Sequence, residues 1–114
     1  LVQKSSGNLR EQLGYNQGWN DLDLSDKQNL IVVLCVQNQL SSINLSSCTM
    51  LMQLSSDYNQ LTTLDLSTNY NLRYLECGIN QITELDLSNN PNFDGLNYRQ
   101  QEGTFKLKVA SRLP

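Results

Sequence analysis

The chain has 114 residues, a net charge of −3, 39% hydrophobic and 17% charged residues, no histidine and three cysteines. Without histidine it lacks the usual general base near neutral pH, and its acidic balance opposes nucleic acid, whose phosphates require a basic stripe. The longest apolar run, residues 30–36, is seven residues long, far below the ~18 of a membrane span, so no membrane insertion is expected.

Residues 1–28 read as an N-terminal cap followed by a degraded first repeat. A short helix is expected over residues 8–13, Asn-Leu-Arg-Glu-Gln-Leu. Trp19 takes a position that later blocks give to Leu or Ile, and Leu22-Asp23-Leu24-Ser25 is in register with Leu64-Asp65-Leu66-Ser67. Residues 29–91 then hold three regular blocks of 21 residues, opened by Asn29-Leu30, Met50-Leu51 and Asn71-Leu72. The last places Leu72, Leu75, Cys77, Asn80, Ile82, Leu85, Leu87 and Asn90 where the one before has Leu51, Leu54, Ser56, Asn59, Leu61, Leu64, Leu66 and Asn69. Residues 92–114 begin another copy at Asn92-Phe93 and end in an alternating closing strand over residues 104–109, with lysines that discourage edge pairing.

Each block contains two half-units that alternate apolar and polar residues and end in Asn. Alternation over so few residues predicts a short strand with one buried face. The second half-unit, Leu-Asp-Leu-Ser, is too short for a helix and is expected to be extended or weakly β. Stacked blocks should align Asn38, Asn59 and Asn80 in one ladder and Asn69 with Asn90 in another, where Cys48 interrupts. Cys35 and Cys77 share one repeat position two blocks apart. Strands about 4.8 Å apart would hold them roughly 10 Å apart, beyond the ~7 Å reach of a disulfide. Buried free thiols are therefore expected, and no metal site.

The segment Leu72-x-x-Leu75-x-Cys77-x-x-Asn80-x-Ile82 fits the leucine-rich-repeat frame. Its wording resembles the short repeats of secreted and surface leucine-rich-repeat proteins of Bacteroidetes-type bacteria, over residues 8–98. The resemblance implies a single domain that is mostly β with irregular turns, within the α/β leucine-rich-repeat superfamily. It would be a right-handed solenoid of four to five coils with little helix and a parallel strand ladder on its concave face. It also implies export and a binding role but names no ligand; a protein or glycan held on the concave strand face is the expectation for the partner.

Parity along the first half-unit points Val32, Leu34 and Val36 outward from one block, Gln53, Ser55 and Asp57 from the next, and Tyr74 and Glu76 from the third. Tyr58 and Arg99 extend this face, and Leu13 and Tyr15 join it if the register holds that far. The residues differ from block to block, as a recognition surface requires. The second half-unit repeats Asp or Asn and then Ser in every block, as a scaffold does. The apolar patch of Val32, Leu34 and Val36 is expected to be a binding hot spot, a self-association surface, or a seat covered by the N-terminal cap. Asp65 and Asp86, with Glu84 and Asp23 nearby, offer too few oxygens for calcium and read as a solvated ridge. No nucleophile motif or phosphate loop occurs. A non-enzymatic binding module without catalytic residues or cofactor is expected, and a self-stacking structural solenoid is the competing reading.

Overall fold

The computed structural model describes residues 2–4, 11–97 and 106–109, and over them the chain consists of short strands joined by turns, with no helix. In chain order the strands are β1 (Val2–Lys4), β2 (Glu11–Leu13), β3 (Asp21–Asp23), β4 (Val32–Leu34), β5 (Gln53–Ser55), β6 (Tyr74–Glu76), β7 (Glu84–Leu87), β8 (Gly95–Asn97) and β9 (Lys106–Val109). Five of them form one parallel sheet in the order β2-β4-β5-β6-β8. Its register follows the sequence period: Val33 lies beside Leu54, Leu54 beside Leu75 and Leu75 beside Leu96, each pair 21 residues apart.

The strands are short because each is the straight part of a continuous turn, but their hydrogen bonds run further than the strands do. Cys35 N–H donates to Ser55 O at 2.9 Å, Ser56 N–H to Glu76 O at 2.7 Å, and Gln37 N–H to Asp57 O at 2.9 Å. Val33, Leu54 and Leu75 point inward and are fully buried, as are Leu30, Leu51 and Leu72 behind them. Leu64, Leu66, Leu85 and Leu87 close the core from the second half-unit, and Phe93 packs against it. One apolar cluster thus runs through all the described blocks, each block burying its face against the next.

The first asparagine ladder is present. Asn59 donates to Cys35 O and Ser56 O at 3.0 Å and to Asp57 O at 3.3 Å, and accepts from Leu40 N–H at 3.0 Å. Asn38 and Asn80 make the equivalent set one block away on either side. One side chain therefore satisfies the backbone of two blocks where the chain turns inward. The residue before each of these asparagines takes the left-handed conformation: Gln37 at φ 59°, Tyr58 at 58° and Ile79 at 53°, with Asn16 at 52° one block earlier. The second ladder is weaker. Asn69 donates to Leu45 O and Cys48 O, and Asn90 to Leu66 O and Asn69 O, but the side-chain oxygens of both are buried with no partner.

Two expectations are corrected, and a third is met in part. The helix over residues 8–13 is not formed across its described part: residues 11–13 are β2, paired with β4. Its good helix formers yield to the sheet because pairing there continues the repeat register, and tertiary pairing overrides weak local propensity. The second half-unit is not helical, as expected, but it is a paired strand in only part of the chain. It is strand only at β3 and β7, where the terminal strands β1 and β9 pair with it. In the central blocks it forms no strand, and in every block it runs into the same turn: Lys27 N–H donates to Leu24 O, Cys48 N–H to Leu45 O, Asn69 N–H to Leu66 O and Asn90 N–H to Leu87 O. The second correction, at Ser55 and Asp57, concerns the strand face below. The closing strand is found as β9, and its partner is β7 on the second half-unit's side. Neither terminal pairing keeps the 21-residue spacing: Val2 lies beside Asp21, and Glu84 beside Lys106.

Candidate functional site

The sheet register builds the strand face row by row. Glu11, Val32, Gln53 and Tyr74 form one row, and Leu13, Leu34, Ser55 and Glu76 the next. Asn16 N–H bonds Val36 O, Gln37 N–H bonds Asp57 O and Tyr58 N–H bonds Gly78 O, so a third row runs Tyr15, Val36, Asp57, Gly78. The parity expected for Leu13 and Tyr15 therefore holds, and both are largely exposed, at 56% and 64%. Val32, Leu34 and Val36 are half-buried among their strand neighbours. Among the described residues it is the paired strand β2, not a segment laid over the face, that flanks them.

Tyr15, Leu34, Val36, Gln53, Ser55 and Glu76 line one shallow groove of about 290 Å³. Half of the expected binding residues are thus brought together here. Val32, Gln53 and Tyr74 lie in the adjoining row, and Tyr58 is exposed beyond the third. Arg99 lies outside the described residues. Two expected members are not exposed: Ser55 is 4% and Asp57 5% accessible. Ser55 is a small residue between Leu34 and Glu76 on the flanking strands. It forms the groove floor, and its hydroxyl donates to Glu76 Oε1 at 3.2 Å. Asp57 sits where the chain begins its left-handed turn, and its carboxylate folds back to accept Gly78 N–H at 2.6 Å. Its carboxylate is thus engaged by the backbone of the next block, and it does not line the groove.

The electrostatics of the face centre on Glu76. Partial burial first, then the charge and hydrogen bonding of Glu76, then the charge of Asp57, push the Tyr74 hydroxyl above its ordinary value. Burial, aided by Asp57, raises the Cys77 thiol behind the sheet to about 12. Burial alone raises Cys35 to about 12 and Cys48 to about 11. All three thiols are buried and free, as expected from their spacing, and Cys35 Sγ donates to Ser55 O at 3.6 Å. Nucleophilic chemistry at such thiols is disfavoured, because the thiolate is the reactive form.

The opposite flank repeats one motif. Ser25, Ser46, Ser67 and Ser88 each donate their N–H to the side chain two residues back, on Asp23, Asn44, Asp65 and Asp86, at 2.9 to 3.0 Å. Its monotony therefore has a conformational cause: an Asp or Asn side chain holds each turn. Hydrogen bonds from the Ser67 side chain and backbone hold the Asp65 carboxyl below the usual carboxylate range. Among the described residues no group of three or more His, Cys, Asp or Glu is placed to hold a metal ion, and no helix is long and apolar enough to cross a membrane.

A second variable patch lies beside the strand face. Met50, Met52 and Tyr70 are exposed, and Ile31, Met50, Met52, Asn71, Arg73 and Asn92 border a depression of about 180 Å³. The outward parity of the strands does not reach these positions. The available signal was Met50-Leu51-Met52, which breaks the Asn-Leu opening of the blocks on either side. Comparison with family profiles, with curated proteins and with solved structures finds no match for this chain.

Proposed function

We propose that this chain is a leucine-rich-repeat solenoid of four to five coils. In this reading it acts as a non-enzymatic binding module, secreted or displayed at a cell surface, that grips a protein or glycan on its strand face. Parallel pairing at a constant 21-residue offset supports the solenoid. One observation carries the binding role: the outward rows change chemistry at every strand and meet in a groove, while the opposite flank repeats one turn motif. Side chains that hold the fold need not vary in this way. Exposed Leu13 and Tyr15 beside half-buried Leu34 and Val36 supply the apolar centre and aromatic rim common in protein interfaces.

Leu34→Asp and Tyr74→Ala should each weaken capture of a partner by more than about 1 kcal/mol, as central contacts do, with little change in stability. Thr63→Ala and Ser67→Ala on the opposite flank should leave binding unchanged. The opposite outcome would move the recognition surface to the repeated flank. A second reading, end-to-end stacking of copies, draws support from β2 and β8, the two edge strands of the five-stranded sheet. Sedimentation velocity across a concentration range separates the two, since a receptor stays monomeric while a stacking solenoid grows.

A further inference from the structure

We propose that the strand face takes an extended peptide carrying a bulky apolar side chain and, two residues on, a lysine or arginine, the cation lying against Glu76. This rests on the binding role above and names the chemistry of its ligand. The first ground is charge. The described outward rows expose Glu11 and Glu76, with the buried Asp57 adding negative charge beneath them, and contain no Lys or Arg, on a chain whose net charge is −3. An anionic ligand would meet only repulsion there.

The second ground is spacing. Glu76 belongs to β6, two strands from Leu34 on β4, which is about 10 Å by backbone separation. Its carboxylate, however, leans back over the middle strand, with Oε1 3.2 Å from Ser55 Oγ. The buried hydroxyl of Ser55 leaves no bulk between that carboxylate and the apolar floor of Leu34 and Val36. Floor and charge are therefore separated by little more than one strand spacing. In an extended peptide, side chains at i and i+2 share a face about 6.8 Å apart, which fits that separation. Exposed Tyr15 flanks the apolar end and can cover the ligand's apolar side chain from the side. A glycan would find hydroxyl partners here, but the apolar floor would be wasted on it.

The test uses the full chain and three acetylated, amidated peptides differing at one position: Leu-Ser-Lys, Leu-Ser-Gln and Leu-Ser-Glu, each flanked by glycines. Binding is followed by chemical-shift perturbation at low ionic strength. The Lys peptide should bind about fivefold tighter than the Gln peptide, the range of a partly exposed ion pair, and the Glu peptide weakest. Added salt should narrow the gap. Glu76→Gln should abolish the Lys-over-Gln preference and keep the Gln peptide's affinity, whereas Leu34→Ser should weaken all three. Equal affinity for the three peptides, with shifts still mapping to Leu34 and Val36, would overturn the cation preference and leave the binding face standing. Binding of an oligosaccharide array at this face with no peptide shifts would overturn the peptide proposal. Shifts confined to the repeated Asp-Leu-Ser flank would overturn both.

Discussion

Gly14 and Trp19 share one volume. A Cβ on Gly14 would collide with the six-membered ring of the Trp19 indole, at Cη2, Cζ3 and Cζ2. Gly14 stands where later blocks carry Cys35, Ser56 and Cys77, and Trp19 where they carry Leu40, Leu61 and Ile82. The first block thus fills its core with one large side chain and an empty partner, while the others use two of moderate size. Trp19 is 4% exposed, so the indole belongs to the core and is not a surface aromatic.

Gly14→Cys, which restores the frame of the later blocks, should therefore destabilise the protein by about 1–3 kcal/mol through overpacking. Trp19→Leu alone should also cost about 2 kcal/mol or more by leaving a cavity. The double variant should be more stable than the sum of the two by at least about 1 kcal/mol, because each change relieves the other. Urea unfolding of the four proteins completes the cycle. Additive losses would mean that the two side chains do not compete for the same space.

The asparagine columns should differ in what they contribute. Asn59→Ala strips partners from three carbonyls and one amide around a turn and should cost about 3 kcal/mol, since unsatisfied buried groups cost ~1–3 kcal/mol each and some will rehydrate. Asn69→Cys should cost clearly less. Its side-chain oxygen has no partner, and Cys48 already occupies the same column one block earlier, fully buried. Equal losses in thermal unfolding would show that the two columns bear the backbone alike.

Much of this arrangement was legible in the sequence, because a strict period converts one residue's environment into that of its neighbours. Leu54 and Leu75, the Asn38–Asn59–Asn80 ladder and the outward parity of Leu34 and Glu76 all followed from it. Local geometry that no residue type marks was not legible. The left-handed column is held by Asn16, Gln37, Tyr58 and Ile79, four different residue types, because the turn that follows each strand of the sheet imposes the conformation. Asp57 keeps the row position of Tyr15 and Val36, but its carboxylate folds back onto Gly78 N–H, a capping bond that alternation alone does not mark. Residues 11–13 look helical alone and become strand only through β4. Met50 and Met52 fell between the positions that the repeat frame describes.

The left-handed column also offers a gain. Gln37 is exposed at φ 59° and its N–H is bonded to Asp57 O, so a substitution there tests backbone preference with little loss of packing. Asn tolerates this region better than most residues. Gln37→Asn should raise stability by about 0.5 kcal/mol, and Gln37→Val, β-branched, should lower it by about 1 kcal/mol or more. Denaturant midpoints at constant m-value report both. A Val variant as stable as the parent would contradict the assigned backbone.

The thiols give the pH dependence. Cys35 and Cys77 are raised from an ordinary 9.0 to about 12 and Cys48 to about 11. A raised acid keeps its proton in the fold while the unfolded chain loses it, so the folded state binds more protons in that interval. The contribution is fully present below pH 9 and is lost as pH rises from about 9 toward 11 and 12, at about 1.4 kcal/mol per pH unit for each thiol. The Cys35→Ser, Cys77→Ser double variant adopts the residue that Ser56 supplies at the same position between them, and should flatten the alkaline limb of the stability profile while the limb below pH 8 keeps its shape. The same burial makes the native thiols slow toward a thiol-reactive dye at pH 8, with labelling rising once urea opens the core. Fast native labelling of Cys35 or Cys77, together with an alkaline limb unchanged in the double variant, would place that side chain on the solvent side of the sheet and reverse the assignment of the binding face.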